Sequence, residues 1–211
     1  TSLKAPEPEF KFQRSGDRMG LTRGIVTHKA IELWLKERKD PDLHKILHNL
    51  GISSEEARVT NLVEDVEGML QIFLRSPLFS TISKEETNAY FELPFSWNWA
   101  GIPIHGTIDL VYKINNAWHV IDFKTDQLRK RSIEDASKSY LPQLALYATA
   151  IEAATGIKPE AGLFFLRTGD HYNATKAALH QALKETRNRI ELGSNLETPV
   201  DEEQLIFIDE I

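Results

Sequence analysis

The stretch Gly106–Asp126, G-T-I-D-L-V-Y-K-I-N-N-A-W-H-V-I-D-F-K-T-D, decides how this chain is read. Two short apolar runs flank Asn115-Asn116, which predicts two antiparallel strands joined by a tight turn. Asp109 interrupts the first run, and Asp122 and Lys124 interrupt the second. A buried carboxylate is costly without a charge partner or a metal. Hairpin pairing can bring Asp109 and Asp122 to the same end of the sheet. Two carboxylates there repel unless one is protonated or a divalent cation lies between them. Asp122 and Lys124 are two apart, so both project from one face of their strand. Oxygen ligands suit a hard cation such as Mg²⁺ or Mn²⁺, with the Lys ammonium beside it to hold a water or offset phosphate charge. Taken alone, D-x-K equally fits a solvent-facing ion pair; the apolar neighbours of Asp109 favour a strand buried on at least one face.

Outward from this hairpin, Leu21–Arg38 carries Ile25, His28, Ile31, Glu32 and Leu35 at helical spacing and stops at Asp40-Pro41. A second helix is predicted from Ser53, where Ser53 and Glu56 match a capping box, through Phe73 to Pro77. Ala89–Trp99 alternates and is aromatic, and Pro94 marks it as an edge strand. After the hairpin comes a polar, basic connector, Q-L-R-K-R-S-I-E-D-A-S-K-S, then a helix over Tyr140–Ala154 closed by Gly156. A strand at Leu163–Arg167, a helix at Thr175–Leu192 and a last strand at Leu205–Ile208 complete the pattern. Three meandering strands, a crossover helix and a further strand predict an α/β fold, a mixed central sheet flanked by helices.

The 211 residues, 41% of them apolar, suit one domain with a substantial core. We expect residues 1–20 to be a linker or N-terminal extension, because the Pro-rich, polar opening starts at Thr1 rather than Met. A processed terminus would read the same. Residues 21–211 are expected to form a single domain with a helical insertion at about 40–80. The chain has no cysteine, which excludes a disulfide framework and a thiolate-held iron–sulfur cluster. No apolar run is long enough to span a membrane, and no nucleotide-binding loop of the G-x-x-x-x-G-K-[S/T] or G-x-G-x-x-G type occurs. A net charge of −6 argues against coating nucleic acid by bulk charge but leaves room for an acidic metal site with local basic patches.

Several segments together resemble the PD-(D/E)XK nuclease superfamily, in particular its RecB/AddA-like exonuclease domains. They are Arg23-Gly24 with His28, E-L-P-F at 92–95, G-T-I-D-L at 106–110, V-I-D-F-K-T-D at 120–126 and Q-L-A-L-Y at 143–147. Ile108 stands where the superfamily name has Pro. The resemblance implies a restriction-endonuclease-like core. It makes Asp109 and Asp122 the central metal ligands with the Phe123 backbone carbonyl, Lys124 the catalytic lysine and His28 a further ligand. On its own, His28 fits a satisfied histidine on an apolar helix face. Glu92 would face the same site and hold a second cation or its water; independently it fits an edge-strand charge. Gln143 and Tyr147, one helical turn apart, would line the site and order Lys124 or touch the DNA backbone.

Glu32, four residues after His28, could orient the imidazole. Arg129, Lys130 and Arg131 could meet phosphates, although such a run is also an ordinary solvated loop. Trp97 and Trp99 could stack on bases, with core packing the better reading.

The resemblance implies a Mg²⁺- or Mn²⁺-dependent deoxyribonuclease acting on a DNA strand, single-stranded in the first instance. It would work with a helicase motor, in the same polypeptide or a partner subunit, during double-strand-break repair and recombination. Such a protein is cytoplasmic and nucleoid-associated in a prokaryote. The alternative is a catalytically inactive nuclease-fold module that binds DNA or protein, although such relatives usually lack the second acid or the lysine.

Overall fold

The computed structural model describes residues 18–52, 57–84, 87–99 and 102–193. Four helices come first: α1 (Arg18–Glu37), α2 (Leu43–Asn49), α3 (Ala57–Leu74) and α4 (Pro77–Ile82). Strands β1 (Asn88–Trp99), β2 (Ile102–Ile114) and β3 (Ala117–Lys124) follow as a meander. A short helix α5 (Ile133–Ser137), one 3₁₀ turn (Lys138–Tyr140) and α6 (Leu141–Thr155) lead to β4 (Glu160–Phe165), β5 (Asp170–Asn173) and α7 (Lys176–Gly193).

The sheet runs β1-β2-β3-β4-β5, antiparallel except for the β3–β4 pair, which is parallel and joined by the α5–α6 crossover. The mixed sheet flanked by helices is therefore the α/β architecture expected, with β1 at one edge and β5 at the other. Asn115 and Asn116 both adopt left-handed backbone conformations (φ 49° and 65°), as a two-residue hairpin turn requires.

Four elements differ from expectation. Pro41 and Pro77 read as helix ends, yet each is close to a start. Asp42 caps α2 by accepting from Lys45 N at 2.9 Å, and Ser76 caps α4 by accepting from Phe79 N at 3.1 Å, with Pro77 in the first turn. The connector after β3 is not wholly irregular, because Ser132 caps α5. Strand β5 is short and polar, and exists because it pairs with β4. The capping box at Ser53 and the strand at Leu205–Ile208 lie outside the described residues.

Each face of the sheet is covered by its own helical layer. Val26, Ile31, Leu47, Leu62, Met69 and Phe73 of α1–α3 pack on Leu110, Tyr112, Ile121, Phe123 and Phe164. On the opposite face, Leu144, Tyr147 and Ile151 of α6 with Leu179 of α7 pack on Ile108, Val111, Val120, Leu163 and Phe165.

The alternation of faces breaks at one place. In β1, Ala89 and Phe91 pack with the α1–α4 layer, but Leu93 and Phe95, of the same parity, pack with the α6–α7 layer. In β2, Leu110 packs with the first layer and Ile108 with the second. The switch falls at Glu92, whose φ is 47°, a left-handed conformation unusual for a non-glycine residue in a strand. Phe91 pairs with Leu110 and Leu93 with Ile108, so this register places Glu92 opposite Asp109.

Candidate metal centre and lysine site

The β2–β3 ladder runs from Ile114↔Ala117 to Leu110↔Ile121 and then stops. Carried one step further, it would put Asp109 across from Asp122. Instead, the Asp109 side chain replaces the backbone: Phe123 N–H donates to Asp109 Oδ2 at 2.6 Å. β3 meanwhile stays paired to β4 through Lys124↔Phe165. The two strands thus part beside Asp109 and Asp122, both of them buried.

α1 brings His28 to this fork from the first helical layer. Its Nδ1 lies 3.3 Å from Asp109 Oδ1 and 3.9 Å from Glu92 Oε1. One ligand atom from each of His28, Glu92 and Asp109 lies within 4.8 Å of the others, a nitrogen-and-oxygen set that fits a hard or borderline divalent cation. Burial alone would lower the His28 pKa. The negative charges of Asp109 and Glu92 outweigh it and raise the imidazole to about 9. Burial likewise opposes charge on Asp109, but the adjacent His28 holds that carboxyl below its ordinary range. Glu92 is raised, by burial first and by the charge of Asp109 second.

The resemblance implies His28, Asp109, Asp122 and the Phe123 carbonyl as ligands, with Glu92 facing the same site. The structure groups His28, Glu92 and Asp109, and places Asp122 with the lysine. Lys124 Nζ stands 2.7 Å from Asp122 Oδ2, a charge pair at a buried oxygen. Burial and the charge of Asp109 raise Asp122 to about 6, although Lys124 works against the rise.

Because β3 alternates regularly, Asp122 and Lys124 share the face toward α6. There Lys124 Nζ donates to Gln143 Oε1 at 3.2 Å, and Gln143 Nε2 donates to Tyr147 Oη at 2.8 Å. Tyr147 is buried, and burial raises its hydroxyl pKa well above the ordinary value. Its ring meets Phe95 edge-on at 5.6 Å. Phe95 in turn lies across Gly106, where a Cβ would come within 2.9 Å of the ring. The glycine of G-T-I-D thus leaves room for the aromatic that positions Tyr147.

Glu32 does not orient His28. Lys29 Nζ donates to its Oε2 at 2.6 Å and Lys36 to its Oε1, so both oxygens are engaged within α1. Lysines one turn before and after it are nearer partners than the imidazole, and they hold the Glu32 carboxyl below its usual range against the effect of burial. Arg129, Lys130 and Arg131 are exposed in the turn after β3 rather than in the ligand cluster. Trp99 is buried and stacks near Trp97 with centroids 6.5 Å apart, a packing arrangement.

Two features escaped the sequence. Tyr140 lies under Lys124, its ring centroid 4.2 Å from Nζ. The 3–4 spacing of Tyr140, Gln143 and Tyr147 was the signal available, since it places all three on one helical face. Asp65 of α3 gathers Arg23 Nε at 2.9 Å and Arg167 Nη2 at 3.0 Å, and Arg167 Nε donates to the Thr125 carbonyl at 2.8 Å. This network ties the end of β3 to α1 and α3.

A D-x-K strand with a buried Asp122, a buried acid on the neighbouring strand and a helical histidine beside that acid thus meet on a mixed sheet. The sequence profile of the PD-(D/E)XK nuclease superfamily matches residues 3–205, and the chain belongs to that superfamily. Among curated relatives, it is similar to an ATP-dependent helicase/nuclease subunit from Clostridium acetobutylicum, with 29% identity over 46% of this chain and 9% of the relative. A protein of the same name from Listeria monocytogenes is 28% identical over 81% of this chain and 15% of its own length. The chain therefore spans a small part of these relatives. A crystal structure from Eubacterium rectale, named as a candidate exonuclease, shares the fold at a TM-score of 0.58 and 15% identity, covering 96% of this chain and 82% of that one. Among the described residues, no helix is long and apolar enough to cross a membrane.

Proposed function

We propose that this chain is a Mg²⁺- or Mn²⁺-dependent deoxyribonuclease domain that hydrolyses DNA phosphodiester bonds from an end. The observation that carries the reading is the Lys124 ammonium, held by Asp122 and Gln143 beside the His28–Glu92–Asp109 cluster. In this reading His28, Asp109 and Glu92 hold a cation, with Asp122 and the Phe123 carbonyl completing its surroundings. A bound divalent cation supplies polarisation of the scissile phosphate and acidification of a water. Lys124 donates to the attacking water or to a phosphate oxygen, while Gln143 and Tyr147 keep it aimed. Arg129, Lys130 and Arg131 meet the flanking phosphates.

Uncatalysed phosphodiester cleavage is so slow that a site of this kind must supply roughly 20 kcal/mol. A single general base, worth about 10²–10⁴-fold, falls well short. Electrostatic stabilisation by cation and lysine must therefore carry most of the rate.

The names of the helicase/nuclease relatives support a role beside a helicase motor, in a longer polypeptide or a partner. The further assignment to double-strand-break repair at the bacterial nucleoid rests on the RecB/AddA-like resemblance of the sequence. The test is cleavage of linear single- and double-stranded DNA with Mg²⁺ or Mn²⁺, comparing the native chain with Asp122→Ala and Lys124→Ala. Metal-dependent cutting lost in both variants is expected. Neither cutting nor metal binding by the native chain would instead favour an inactive DNA- or protein-binding module.

A further inference from the structure

We propose that Tyr140 is a positioning residue for Lys124: its ring supports the ammonium independently of Asp122, and its hydroxyl fixes the ring in place. This inference rests on the nuclease reading for its consequence in catalysis, but the contact itself stands on geometry alone.

An ammonium has three N–H donors and no acceptor, on a flexible four-carbon stem. Lys124 Nζ has three neighbours here: Asp122 Oδ2 at 2.7 Å, Gln143 Oε1 at 3.2 Å and the Tyr140 ring at 4.2 Å. The first of these is a carboxylate beside the candidate cation cluster. Any positive charge drawn to Asp122 weakens its hold on the lysine, leaving the neutral supports to keep the ammonium in place. Gln143 gives one directed hydrogen bond. Tyr140 gives the negative face of its ring, well inside the distance at which a cation is attracted to it.

The ring is itself anchored. Tyr140 Oη donates to Asp126 Oδ2 at 2.6 Å, which joins the last 3₁₀ residue before α6 to the chain two residues beyond Lys124. Burial raises the Tyr140 hydroxyl pKa, and the bond to Asp126 adds to the rise, so the phenol stays a donor across the working pH range. Tyr140, Gln143 and Tyr147 therefore form one face of a single helical segment, with Gln143 in contact with both Lys124 and Tyr147.

The test compares Tyr140→Phe, which keeps the ring, with Tyr140→Leu, which removes it. Steady-state cleavage is measured alongside the NMR shift of the Lys124 ε-methylene protons, assigned by their loss in Lys124→Arg. We expect an upfield ring-current shift in the native chain and in Tyr140→Phe, and none in Tyr140→Leu. Tyr140→Leu should lower kcat about tenfold with KM nearly unchanged, while Tyr140→Phe stays within about threefold of native. An unchanged kcat in Tyr140→Leu, a loss expressed in KM alone, or equal damage by Phe and Leu would overturn the proposal. If the native chain cuts no DNA, the nuclease reading fails, and the shift still decides the contact. Its presence in the native chain upholds the support of Lys124, and its absence there overturns it, even should Tyr140→Leu not fold.

Discussion

At its turn the β2–β3 hairpin pairs residue for residue from Ile114↔Ala117 to Leu110↔Ile121, whereas at its other end the same two strands separate around Asp109 and Asp122. The paired end is held by backbone hydrogen bonds and apolar contacts on both faces. At the open end, one side-chain acceptor, Asp109 Oδ2, stands in for the missing ladder bond, and Glu92 on the next strand sits in a left-handed conformation. The contrast shows how a sheet can host charge. Regular pairing sets the register, and the site is built where that pairing stops, leaving room for carboxylates that a closed ladder could not accommodate. Non-glycine residues in rare backbone conformations tend to persist only where surrounding structure holds them, which is the position of Glu92 between His28 and Asp109.

The largest way to break this contrast is to neutralise the open end without changing its shape. Asp109→Asn retains an acceptor for Phe123 N–H but removes the charge. DNA cutting should fall by about 10³-fold or more. The urea midpoint should fall by no more than the loss of the His28 pairing accounts for, a fall that shrinks as pH rises through about 9. A variant that still cuts at near-native rate would remove Asp109 from the site.

His28 sharpens the comparison through pH. Its folded value of about 9 lies above the ordinary 6.5, so in the metal-free protein its pairing stabilises the fold fully below pH 6.5 and fades as pH rises through about 9. A cation must displace the same proton. Calorimetric titration with Mn²⁺ from pH 6.5 to 8.5 should therefore show affinity rising with pH, by at most about tenfold per unit. In His28→Gln this rise should flatten.

Glu92→Gly separates strain from function. Glycine accepts φ 47° without penalty, and the change also removes a carboxylate facing Asp109. The expected outcome is a gain of about 0.5–1 kcal/mol in urea unfolding, together with weaker metal binding. A loss of stability would mean that Glu92 contributes more through its contacts than its backbone costs.

At the paired end the effects should be small. Asn116→Gly suits a turn residue already at φ 65° and should add a few tenths of a kcal/mol, with cutting unchanged. An effect on activity there would mean that the two ends are more tightly coupled than the break in the ladder implies.

Local sequence was enough for the elements whose residues interact mainly with near neighbours. The hairpin at Asn115-Asn116, the edge strand carrying Pro94, the helix ending at Gly156 and the shared face of Asp122 and Lys124 follow from turn chemistry and from the two-residue and 3.6-residue periods. The short helices α2 and α4 were also encoded locally, by Asp42 and Ser76, but the prolines beside them read more readily as stops. β5 was not locally encoded, since its polar residues become a strand only by pairing with β4.

The arrangement of the site depended on tertiary structure. The exchange of faces at Glu92 and Asp109 breaks the parity rule, so spacing alone could not show that Glu92 and Asp109 would meet His28. The pairing of Glu32 was by contrast open to a local reading, because Lys29 and Lys36 lie one helical turn before and after it. The residues able to carry the chemistry were visible in the chain, but their partners were set by where β2 and β3 separate and by which helices close over that gap. Those are contacts between segments far apart in sequence, and no local period records them.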